Sequence, residues 1–163
     1  MNTMSSPAAP LEGAEPLPAA STDLNVFLAY ENLAAALRAS DVLAVLTRKE
    51  LDGLAVKLSP WSFATLAEPQ WRAQAAPYVE RAHLLVIAAC SPAPTLSVTI
   101  EAWLRLCLAQ PREECLAVAA LFHHSGGPDD ASSPRVRSVQ RIAQEAGCAF
   151  FAPGVRDDLA SLV

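Results

Sequence analysis

From residue 23 onward the apolar residues follow two alternating rhythms. Leu24-Asn25-Val26-Phe27-Leu28-Ala29-Tyr30 is nearly unbroken apolar sequence, the signature of a strand buried on both faces of a parallel sheet. From Glu31 to Arg48 the spacing turns helical. Leu33, Leu37 and Leu46 fall on one stripe, expected to face the core, while Arg38, Asp41 and Arg48 return off it. Leu54-Ala55-Val56-Lys57-Leu58 alternates, with Leu54, Val56 and Leu58 on one face and Lys57 on the other. That pattern marks an edge strand with one wetter face. Ser59-Pro60-Trp61-Ser62-Phe63 reads as the following loop.

The second half repeats the scheme. Glu68 to Arg81 reads as a helix opened by Pro69, with Pro77 expected to kink or split it. His83 to Cys90 (HLLVIAAC) is the strongest strand signal. Leu96, Ile100, Trp103, Leu104 and Cys107 form one helical stripe, with Glu101 and Arg105 opposite. Cys115 to Phe122 is the fourth strand, and His123 to Ser133 a polar Gly/Asp/Ser/Pro loop. Ser133-Pro134 then caps a helix that turns Val136, Val139, Ile142 and Ala146 inward and stops at Gly147. Cys148 to Ala152 is a short fifth strand, and Asp157 to Val163 a final helical turn or two. Strands alternating with helices of this length predict βαβ units. The fold class is therefore α/β, a three-layer, doubly wound, five-stranded parallel sheet of order 2-1-3-4-5.

Residues 1–22 break both rhythms. They are rich in Ala, Pro and Ser and hold Glu12 and Glu15 but no basic residue. Such a stretch buries too little apolar surface to offset its ordering entropy, so it reads as a disordered Ala/Pro-rich tail before a domain of residues 23–163. Its deletion should change stability by less than ~0.5 kcal/mol. A fall of several degrees in melting temperature would show that it docks on the domain.

Composition narrows the function classes. The 163 residues are 52% apolar and 18% charged, enough for a core without metal or disulfide staples. The net charge of −5 gives no basic patch for nucleic acid. The apolar runs at Leu84–Cys90 and Leu116–Phe122 are far shorter than the roughly 20 residues that span a bilayer, so no membrane partner is expected. The start of the chain lacks the basic and apolar regions of a signal peptide. Cys90, Cys107, Cys115 and Cys148 form no CxxC pair and read as buried thiols of a cytoplasmic protein.

In an open parallel sheet ligands bind beyond the carboxyl ends of the strands, at the switch in strand order. The candidate crevice residues there are Glu31, Asn32, Trp61, Ser91 and His123. Phosphate cofactors need glycines directly after the first strand. This chain has Tyr30-Glu31-Asn32-Leu33 there, which argues against dinucleotide, P-loop and FMN sites, and no cofactor is expected. No GxSxG elbow surrounds Ser91, and no catalytic residue is assigned. His123 and His124 should point to opposite faces of their strand, and Asp129 and Asp130 sit on a loop, so no metal is expected either. Trp61 and Phe63 either stack on a planar ligand or fold back as a plug. Arg141 has Glu145 four residues on, whereas Arg135 and Arg137 lack such an acid and read as exposed contact residues.

The run Val26 to Leu33 resembles the first strand of the receiver domains of bacterial two-component signalling, which ends in an acidic pair. HLLVIAACSP (His83–Pro92) is similar to their third strand, which leads into the phosphorylated aspartate and a proline. FFAPGVRDDLASLV resembles their lysine–proline turn and final helix. The resemblance implies a flavodoxin-like, receiver-like fold with its switch residues replaced. Tyr30 stands in the acidic pair beside Glu31, Ala88 at the phospho-acceptor and Ala152 at the lysine, with Phe122 and His123 where the family has Thr or Ser. Without a nucleophilic carboxylate beside a divalent cation no phosphoryl group is accepted. The expectation is a non-catalytic regulatory or protein-interaction module that binds a protein partner or forms a homodimer. The alternative is a flavodoxin-like small-molecule-binding or enzyme domain with its site at the carboxyl ends of the strands.

Overall fold

The structure is a computed structural model that describes residues 23–49, 55–111, 116–124, 127–130 and 132–152. The tail at 1–22, Leu54, Cys115, and the Pro153-Gly154 turn and final helix lie outside the described residues. Along the chain run β1 (Asp23–Tyr30), α1 (Leu33–Lys49), β2 (Ala55–Ser62), α2 (Phe63–Leu66), α3 (Pro69–Arg81), β3 (Leu84–Ala89), α4 (Val98–Leu108), β4 (Ala117–His124), β5 (Gly127–Pro128), α5 (Pro134–Glu145) and β6 (Ala149–Phe151). β2, β1, β3 and β4 pair side by side in parallel. The free edge of β4 takes β6 in parallel at Ala117–Ala119 and β5 antiparallel at His123–His124. The parallel strands thus follow the predicted order 2-1-3-4-5, with β6 as the fifth. The sixth strand, β5, is an addition: the expected loop folds back as a hairpin through Gly127, whose φ of 119° only glycine adopts at low cost.

Successive strand residues point to opposite faces, and the core divides accordingly. Phe27, Leu85, Ile87, Val118, Ala120 and Phe122 pack with the buried faces of α3, α4 and α5. Val26, Leu28, Val86, Ala88 and Leu121 pack with Ala35, Ala39 and Leu43 of α1. The α4 stripe behaves as its spacing predicts, with Leu96, Ile100, Trp103 and Leu104 buried. In α5, Val136, Val139 and Ile142 are buried as expected, but Ala143 takes the inward place given to Ala146, which caps the helix in solvent.

Four other expectations are corrected. In α1 the face against the sheet is Ala35, Ala39 and Leu43, while Leu33 and Leu37 are 70% and 59% exposed. Small residues let the helix lie close to the strands, and that rotates the leucines outward. β2 runs on through the expected loop to Ser62, with Pro60 in register with Leu28. An edge strand tolerates proline because the missing N–H faces solvent. The same edge position leaves Val56 only half-buried and Leu58 exposed. Pro77 does not split α3, which is continuous over 13 residues; Ala73 and Pro77 both lie on its exposed side, where an unpaired carbonyl meets water. Cys90, Cys107 and Cys148 are half-buried at the core's margins, not enclosed by it.

Candidate functional site

The strand order reverses between β1 and β3, and there the chain places a carboxylate. Glu31 follows β1, and its backbone N–H donates to the carbonyl of Ala88 at 2.9 Å. Its side chain reaches across to the turn after β3. The N–H groups of Cys90 and Ser91 donate to Oε1 at 3.1 and 3.0 Å, and the Ser91 hydroxyl donates to Oε2 at 2.8 Å. Backbone amides in such a turn form an anion-binding nest, and here the chain's own glutamate fills it. Asn32 is engaged as well: its Oδ1 accepts from the N–H of Ala35 at 2.9 Å and caps α1.

Trp61 and His123 are not part of this cluster. Trp61 lies back on the sheet, stacked on Phe27 at 6.2 Å between centroids with 7° between the planes. Its Nε1 donates to the Ser59 hydroxyl at 2.9 Å, and Tyr78 of α3 covers it at 5.8 Å. Together with Phe63 it packs against the core. This is the plug arrangement, set over the β1–β2 flank one residue from the ends of both strands. His123 turns toward α1, where Arg38, Asp41, Val42 and Val45 share its groove. Both of its ring nitrogens are buried without a hydrogen-bond partner. Burial first, then the nearby Arg38, lowers its affinity for a proton. Stability from the neutral ring is complete above the ordinary 6.5 and is lost as pH falls below it toward the lowered folded value. An unpaired buried polar group costs roughly 1–3 kcal/mol. His123→Leu should therefore stabilise the fold by about 1 kcal/mol and flatten its pH dependence below 6.5. Urea unfolding at two pH values checks both.

His124 points to the opposite face, as the strand alternation requires, and builds a cluster that the linear sequence did not reveal. The β4–β5 hairpin returns Asp129 beside it. The Asp129 N–H donates to the Phe122 carbonyl at 2.9 Å, and the side chain is only 7% exposed. His124 Nδ1 lies 2.9 Å from Asp129 Oδ1. The Ser133 hydroxyl and Arg135 Nε donate to Oδ2 at 2.8 and 2.7 Å. Arg135 is 2% exposed, donates from Nη2 to the His123 carbonyl at 2.9 Å and lies over the Phe122 ring at 5.0 Å. Arg135 is thus a buried ion-pair partner, contrary to its reading as an exposed contact, because its place in the first turn of α5 aims it under the hairpin; Arg137 is exposed. Burial opposes ionisation of Asp129, but the hydrogen bonds from Arg135, Ser133 and His124 outweigh it and hold the carboxyl at about 2. Asp129 is therefore an ordered, buried residue and not part of a loose loop. The signal in the sequence is the Gly126-Gly127-Pro128 run between His124 and Asp129, a composition that favours a chain reversal.

Of the five candidates, the fold brings Glu31 and Ser91 into contact, spends Asn32 on a helix cap, and sends Trp61 and His123 to opposite faces of the sheet. Among the described residues no three His, Cys, Asp or Glu side chains gather as metal ligands, and no helix is long and apolar enough to cross a membrane. Comparison with protein-family models and with curated proteins finds no match.

Proposed function

We propose that this chain is a cytoplasmic, receiver-like, three-layer flavodoxin-like module that acts by contact with a protein partner, a second copy of itself in the first instance, and carries no phosphoryl chemistry. The observation behind this reading is the state of the switch point. Ala88, in the phospho-acceptor place, is fully buried beside Tyr30 in register. Glu31, which would face a divalent cation, already accepts three hydrogen bonds. One surface open to partners is α1, whose Leu33 and Leu37 stand in solvent on the side away from the sheet. Arg38 and Asp41 flank them and are self-complementary across an antiparallel pair of α1 helices, the arrangement a two-fold interface needs.

Two measurements test this. Acetyl phosphate with Mg²⁺ should leave the chain unmodified on aspartate; a stable acyl-phosphate found by mass spectrometry refutes the reading. Analytical ultracentrifugation should show self-association that Leu33→Glu/Leu37→Glu abolishes while changing stability by under ~0.5 kcal/mol, as exposed substitutions do. A wild-type chain monomeric at the highest attainable concentration would remove α1 as a contact between copies.

A second reading, a small-molecule domain with its site at the carboxyl ends of the strands, is favoured by one observation. A cavity of about 430 Å³ opens there beside His124 and Asp129, within the size range of ligand pockets.

A further inference from the structure

That cavity has a definite chemical polarity. Pro92, Ala93 and Pro94 of the turn after β3 and Pro128 of the hairpin form part of its lining, most of which is polar. Several of the polar side chains that line it are engaged with one another. Arg135 gives Nε and Nη2 to Asp129 and to the His123 carbonyl, and the Ser133 hydroxyl goes to Asp129. Asp129 is ionised and accepts only, so the hydrogen between it and His124 must sit on Nδ1. In the neutral ring that leaves the lone pair on Nε2 free, and the His124 side chain is 45% exposed. An Asp–His pair of this kind fixes one tautomer and one orientation.

The charges point the same way. Arg135 and Asp129 cancel. Asp130 also lines the cavity. Its carboxylate takes hydrogen bonds from the hydroxyl and the N–H of Ser132, and these bonds favour its ionised form. No cation faces it in an ion pair among the described residues. The cavity therefore carries a net negative charge and one oriented nitrogen acceptor.

We propose that this cavity binds a small organic cation, a protonated amine, which donates a hydrogen bond to Nε2 of His124 and is attracted by Asp130. The proposal rests on the small-molecule reading of the carboxyl edge and is independent of α1 as a contact surface. Asp129 is the positioning residue: it holds the ring but does not touch the ligand.

The test is NMR of the three histidine side chains during titration with benzylamine, and with benzyl alcohol and benzoate as its neutral and anionic counterparts. Benzylamine should shift the His124 ring signals and leave those of His83 in place. His124→Gln should weaken its binding about tenfold, the worth of one hydrogen bond to a charged group. Asp130→Asn, at a fully solvated position, should weaken it a few-fold. Both side chains are exposed, so circular dichroism of the variants should match wild type. Benzoate or benzyl alcohol moving His124 more strongly than the amine would overturn the cation assignment and leave the small-molecule reading standing. No His124 shift with any of the three would overturn both, as would amine binding indifferent to His124→Gln.

Discussion

Asp129→Ala is expected to destabilise the fold by about 3–5 kcal/mol, the cost of leaving a buried charge without its partner. The charge in question is Arg135, whose side chain is almost wholly enclosed and which would keep only the His123 carbonyl and the Phe122 ring face. Ser133 loses its acceptor in the same step. Arg135→Met should cost a comparable amount from the other side. Replacing both, as Asp129→Leu/Arg135→Met, should recover much of the loss, since apolar side chains of similar volume substitute well for a buried pair. Urea midpoints measured at constant m-value separate the three variants. A single-variant loss under ~1 kcal/mol, the worth of an exposed ion pair, would show that the pair is open to water.

The same carboxylate makes the molecule acid-sensitive. The Asp129 carboxyl lies at about 2 in the folded chain, against an ordinary 3.8. A depressed folded value means that the stabilisation is fully present above the unfolded value and is lost as pH falls through the folded one. About 2 kcal/mol should therefore disappear between pH ~4 and pH ~2. That is less than the truncation cost, because a protonated carboxyl still accepts hydrogen bonds. Asp129→Asn should remove this acid limb of the stability profile.

Glu31→Ala should cost about 2–3 kcal/mol, because it strips partners from the Cys90 and Ser91 amides and from the Ser91 hydroxyl at one stroke. Glu31→Gln keeps an oxygen in reach and should cost about 1 kcal/mol. The vacated amides then form an unfilled anion nest. Sulfate should restore part of the stability of Glu31→Ala and leave wild type unchanged. A variant that loses stability without responding to sulfate would mean that the turn after β3 rearranges when the carboxylate is gone.

Much of this architecture was legible in the linear pattern. A strand buried on both faces must be apolar at every position, so Leu24–Tyr30 and His83–Cys90 declared themselves centres of a parallel sheet. The Ser133-Pro134 cap marked the start of α5 to the residue, since capping is local chemistry. The missing glycines after β1 and the alanine at 88 argue by residue type alone against phosphate-cradling and phosphoryl-accepting sites, an expectation that the acetyl phosphate experiment tests. What the pattern misjudged depends on distances between segments remote from one another. Periodicity shows that a helix has two faces but not which one packs, so the small residues Ala35 and Ala39 went to the sheet and the larger Leu33 and Leu37 to solvent. Proline is an obstacle only where its missing donor is needed, and neither Pro60 on the edge strand nor Pro77 on the solvent side of α3 is in such a place. The joining of Glu31 to Ser91, the meeting of His124 with Asp129, and the burial of Arg135 beneath Asp129 arise when four strand ends and a hairpin meet in space. Spacing along the chain carries no information on such meetings, because the partners' electrostatics take effect only once the fold has removed the water between them.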